Sequence, residues 1–165
     1  MFGSYFAWRC GADRKKHLAA LSGAKEPLVR VAGAVYLCYE DAEAGTAALN
    51  KLTALEGGAG VWAALTLARR GNKTAVPRAL EVFRDLPKEQ KDELGGMAGV
   101  PHRNLQKRVL VLLSNSAQAG AVPQPVLPED EDKQHDALTK WWKQHAEKVT
   151  PQDPWLKLLE KQKVD

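Results

Sequence analysis

Apolar residues recur along the first half of the chain at a fixed long period. Leu18 and Leu21 are followed 31 residues later by Leu49 and Leu52, and 31 further on by Leu80 and Phe83. Leu55 and Leu86 keep the same offset. Between these pairs lie two denser apolar runs rich in alanine, residues 31–37 and 61–67, offset by 30. Each unit therefore predicts one small-residue apolar helix and one amphipathic helix with apolar positions at i, i+3 and i+6. Two helices in about thirty residues are the mark of a helical repeat array, whose units bury their apolar faces only by stacking. Alanine and glycine on the inner helices read as packing residues that let backbones approach.

Punctuation residues agree with this division. Pro27 suits the first turn of a helix, where its missing N–H costs nothing. Glu40-Asp41 separates the first pair, Gly57-Gly58 is expected to end the next helix, and Arg70-Gly71-Asn72 forms the second inter-helix turn. After Leu86 the regularity loosens, with a short polar helix at 87–93 and a glycine-rich break at 95–99. Pro101 opens a helix to about Ser116 with Leu105, Val109, Leu112 and Leu113 on one face. Residues 119–127 are predicted to be extended, held by Pro123 and Pro125 with Pro128 just beyond. Glu129, Asp130, Glu131 and Asp132 then precede a helix from Lys133 to about Lys148, where negative charge suits the positive helix start. Thr150-Pro151 and Asp153-Pro154 open a last short helix carrying Trp155, Leu156, Leu158 and Leu159. The predicted fold is all-α: a short right-handed α-solenoid of antiparallel helix pairs, about eight helices, capped at both ends. Its divisions are repeats at 1–118, a proline-rich acidic linker at 119–132, and capping helices at 133–165 packed on the same domain.

Composition adds one oddity. The 165 residues suffice for a single domain, and 44% apolar with 27% charged residues is ordinary for a globular chain. Yet five of the eleven aromatic residues are tryptophan. Trp62 replaces an alanine of the previous unit and packs between repeats. Adjacent helical residues point about 100° apart, so of Trp141 and Trp142 one is expected to enter the core while the other covers its edge or meets a partner. Trp155 at one end, and Trp8 with Phe2, Tyr5 and Phe6 at the other, read as end caps. The longest uncharged stretch, 109–128, reaches membrane-spanning length but carries five polar residues and three prolines, so no span is predicted. Cys38 reads as a small core residue, and Cys10 lies in a poor context for lipid attachment. The cysteines leave the compartment open: cytoplasmic, or exported if a leader was removed.

The segment 60–71, Gly-Val-Trp-Ala-Ala-Leu-Thr-Leu-Ala-Arg-Arg-Gly, followed by Ala75-Val76-Pro77 and Leu80, resembles the HEAT-like repeats of the phycobilisome-lyase type. The resemblance covers roughly residues 14–86, with a degenerate continuation to about 117. The preceding unit departs from it, with Glu40-Asp41-Ala42 in place of the glycine turn and Thr46 in place of the proline. Residues 135–143, with Trp141-Trp142, resemble the tryptophan-pair helix that closes some bacterial HEAT-like proteins. The resemblance implies an inner and an outer helix per unit and a scaffold or recognition role. A minority of the family acts on bilins or nucleic-acid bases.

Signals for chemistry are thin. His17, His102, His135 and His145 are isolated, with no histidine or cysteine three or four residues away, and no metal site is predicted. No phosphate-binding loop or nucleophile elbow is present in the sequence, and neither a cofactor nor an enzymatic activity is expected. From Arg69 to Arg108 there are ten basic residues against five acidic ones. Equivalent turns of a solenoid stack on one edge, so Arg69, Arg70, Lys73 and Arg78 are the candidate partner contacts, with Tyr39 at the equivalent helix end and Trp142 at the cap. The expected role is a non-catalytic protein-interaction or scaffold module, within a larger assembly or alone. The competing role is nucleic-acid binding through the basic 69–108 stretch.

Overall fold

The computed structural model describes residues 13–84, 102–151 and 153. These hold seven α-helices and, among the described residues, no strand. The helices are α1 (Arg14–Ser22), α2 (Pro27–Glu40), α3 (Ala42–Leu52), α4 (Gly57–Arg69), α5 (Val76–Ala79), α6 (His102–Ala119) and α7 (Gln134–His145). The expected helix at 87–93, the terminal helix carrying Trp155, and the N-terminal aromatic cap lie outside the described residues.

Local chemistry sets the boundaries. Pro27 stands at the start of α2, as expected. Asp41 closes α2 and caps α3, its Oδ1 accepting the Ala44 N–H at 2.9 Å. The Lys15 ammonium lies 2.5 Å from the other Asp41 oxygen, so α1 is tied to the α2–α3 turn. The hydrogen bond and charge of Lys15, with the Ala44 N–H, hold the Asp41 carboxyl below its ordinary value of 3.8. Gly57-Gly58 corrects the sequence reading: α3 already ends at Leu52, and Gly57 opens α4. Gly57 has φ +67°, a left-handed conformation that glycine adopts without steric cost. The third amphipathic segment is broken, with α5 flanked by the 3₁₀ turns Lys73–Ala75 and Leu80–Phe83. A four-residue helix holding Pro77, one backbone donor short, has too few i→i−4 bonds to propagate.

Consecutive helices pack on one another from α1 to α5, and α2 also meets α4. Leu18, Leu49 and Leu80, 31 residues apart, are all buried, the last two in one core. So are Val31 and Val61, Ala34 and Ala64, and Leu37 and Leu67 on α2 and α4. Small residues make the crossings close. A Cβ added at Gly33 would meet Leu21 and the Ser22 backbone of α1, and one added at Gly45 would overlap the Cys38 backbone of α2. Both crossings bring backbones nearer than any side chain but hydrogen permits.

α6 and α7 both pack on the 3₁₀ turn Leu80–Phe83. The inner face of α6 carries Leu105, Val109, Leu112, Leu113 and Ala117, all buried. Residues 122–128 have no regular structure, as the prolines predict. Asp130 then caps the 3₁₀ turn Glu131–Lys133 that leads into α7, its carboxylate accepting the Asp132 N–H. Trp141 and Trp142 differ from expectation. Both are buried, at 8% and 5% exposure, in the same core as the repeat helices. Trp141 can lie inside because its indole N–H donates to the Pro123 carbonyl at 2.8 Å, satisfying its polar atom.

Candidate interaction surface

The basic turn edge is built by the end of α4. There the Asn72 N–H donates to Leu67 O at 3.1 Å and the Gly71 N–H to Ala68 O at 2.9 Å. With Gly71 at φ +98°, this is a Schellman ending. The Asn72 side chain then accepts the Thr74 N–H and starts the next turn. Arg69, Arg70 and Lys73 stand on this turn.

That edge is occupied by the chain itself. Arg69 grips Asp153, with Nε at 2.7 Å and Nη2 at 2.5 Å from the same oxygen. The Asp153 N–H donates back to Arg69 O at 3.1 Å. Lys73 donates to the carbonyls of Ala146 at 2.8 Å and Glu147 at 3.4 Å, a cation on the negative end of α7. Between these anchors Pro151 passes over Gly71. On the other side, Lys148 O and Val149 lie so close to Gly120 that a Cβ there would overlap them. Residues 146–151 and Asp153 thus form a strap between the ends of α4 and α6. Arg78 also turns inward, donating to Leu55 O at 2.7 Å beside Gly60. Arg70 and Tyr39 are half-buried, each with an interaction of its own. Trp142, in the core, presents almost no surface.

A second feature lies beside the strap. Arg69, Asp153 and the α6 residues Lys107, Arg108, Val111, Leu112 and Asn115 line an open groove of about 350 Å³. Lys107, Val111 and Asn115 are four residues apart and share a helix face away from the buried one. Lys107 and Arg108 are exposed, and Val111 is 59% exposed. Because Arg69 and Asp153 neutralise one another, the excess charge of the groove is carried by Lys107 and Arg108. A polar cleft of about 210 Å³ lies between Asn50, Thr53, Asn72, Thr74 and Arg78. Among the described residues, no three histidine, cysteine or acidic side chains converge as metal ligands.

Tertiary structure therefore joins the two ends of the basic stretch, Arg69 with Lys107 and Arg108, in one groove. Val111 and Asn115 were not singled out in the sequence. The available signal was Val111 itself, a large aliphatic residue off the 105–109–112–113 face. No helix among the described residues is long and apolar enough to cross a membrane. No protein-family model, no curated protein and no solved structure matches the chain.

Proposed function

We propose that this chain is a non-catalytic protein-interaction or scaffold module, built as a short right-handed α-solenoid of HEAT-like helix pairs. Support for the solenoid is the burial of Leu18, Leu49 and Leu80, 31 residues apart, together with the contact of α2 with α4 across the intervening α3. The observation that carries the functional reading is the α6 groove, where two exposed cations stand beside a solvent-facing valine on one helix. Single exposed aliphatic residues are common, but one set in a charged concavity fits an interface core with a polar rim. Of the six contacts expected from sequence, Arg69 and Lys73 hold the strap, Arg78 binds a backbone carbonyl, and Trp142 is core. The contact surface in this reading shifts to Lys107, Arg108 and Val111.

A photo-crosslinking residue at Val111, compared with one at exposed Lys25, tests the reading in an extract of cells that make the protein. The expected adduct forms at Val111 alone, resists nuclease and is destroyed by protease. A nuclease-sensitive adduct, with steep salt-dependent RNA or DNA binding lost in K107E/R108E, would establish the nucleic-acid alternative. Arg69 is the poorer probe of that alternative, because its reversal also breaks the strap. Turnover of a substrate by the purified chain would overturn the non-catalytic assignment.

A further inference from the structure

The α6 groove has a chemical complement on the same chain. Across the described residues the two most exposed large aliphatic side chains are Val111, at 59%, in the groove, and Val126, at 81%. Val126 lies in the irregular segment 122–128, immediately before Glu129, Asp130, Glu131 and Asp132. All four acids are exposed. Asp130 is engaged locally, by Lys133 at 2.7 Å and by the Asp132 N–H at 3.2 Å. Glu129 and Glu131 project from the same short turn. One surface thus offers two cations beside a valine, and another offers a valine followed by acids.

We infer that the groove of one copy receives residues 126–131 of a second copy, Val126 against Val111 and Glu129 and Glu131 against Lys107 and Arg108. The inference rests on the interaction-module reading and names its partner. A segment holding Pro123, Pro125 and Pro128 suits an open groove, because proline restricts its backbone and it loses less freedom on docking. The groove lining contains no aromatic ring among the described residues, so stacked bases would lack a platform there, which favours a protein occupant. Groove and acidic segment are separate patches, so two copies can exchange segments about a two-fold axis or join head-to-tail into rings or short chains.

Sedimentation velocity of the full chain tests this. The expected result is concentration-dependent association at about 50 mM NaCl that weakens about tenfold or more at about 500 mM, as screened ion pairs require. K107E/R108E and E129K/E131K alter only exposed side chains, and each alone should be monomeric. Mixed, they should associate again, because the acids kept by one meet the groove kept by the other, and the introduced lysines meet the introduced glutamates. A wild-type chain that stays monomeric at millimolar concentration overturns the inference. So does association that survives both variants, or a mixture that fails to pair. If the wild type is monomeric while Val111 crosslinks a different protein, self-docking falls and the module reading stands. If it is monomeric and Val111 crosslinks nothing, both fall.

Discussion

The helices before residue 70 and the segment after residue 102 join one core by opposite means. In α1–α4, crossings are made by removing side chains: Gly33 and Gly45 bring helix backbones together, and small or medium residues fill what remains. In the C-terminal segment the contact is made by large and polar groups. Trp141 and Trp142 fill the space over Leu80–Phe83, while Arg69 and Lys73 hold the strap by its backbone and by Asp153. The difference teaches where periodicity is informative. Helices that pack in successive units need an apolar residue at equivalent places, as Leu18, Leu49 and Leu80 show, so they leave a period in the sequence. A single docking event leaves none.

Cutting away the tryptophan side of this comparison should have the largest effect. Trp142→Ala should lower unfolding free energy by about 3–5 kcal/mol, as for other buried large-to-alanine changes, measured by urea denaturation. A loss under about 1 kcal/mol would mean that the C-terminal segment is an appendage rather than part of the core. On the small-residue side, Gly45→Ala should cost about 1–3 kcal/mol, because its Cβ meets the Cys38 backbone, which cannot move away alone. Gly23→Ala is the control: its Cβ would come no nearer than 3.4 Å to Ala20 O, so that change should be near neutral.

The two regions also share one device, and it sharpens the comparison. α6 ends as α4 does, with Val122 N–H donating to Ala117 O at 3.0 Å and Ala121 N–H to Gln118 O at 3.3 Å. The left-handed position is Gly71 after α4 but Ala121, at φ 50°, after α6. Alanine pays a Cβ penalty there that glycine avoids. Gly71→Ala should destabilise by about 1 kcal/mol and Ala121→Gly should stabilise by about 1 kcal/mol, opposite signs readable as shifts in Tm. The smallest effect belongs to Asp41. Its folded carboxyl titrates below the ordinary value, so its stabilisation is present above about pH 4 and is lost as pH falls through the folded value. Lys15→Ala removes the main cause, and the acid limb of the stability profile should flatten. An unchanged limb would show that the contact is not maintained in solution.

Much of the helical region was legible because its causes are local. Pro27, Asp41, Asn72 and the 31-residue leucine period each act within a turn or a helix face, and the boundaries of α2 and the α4 turn follow from them. Gly57 misled because a glycine can end a helix or open one with equal ease, and only its neighbours decide. The site was less legible. A run of arginines and lysines indicates charge but not its counter-charge, and Asp153 lies 84 residues from the Arg69 that it neutralises. Nor does sequence alone tell that both adjacent tryptophans are buried: Trp141 has its indole N–H satisfied by a proline carbonyl 18 residues away, and Trp142, expected as a partner contact, lies in the same core.

By itself, the sequence determined the helical character of the described residues, the turns at Asp41 and at Arg70–Asn72, and the small residues of the inner helices, since hydrophobic period and capping act at short range. Tertiary structure alone decided that the C-terminal strap occupies the basic turn edge, and that Arg69, Lys107 and Arg108 meet around Val111. Those arrangements depend on how distant segments share one surface, and the energies that choose among such packings are summed over contacts that no local pattern encodes.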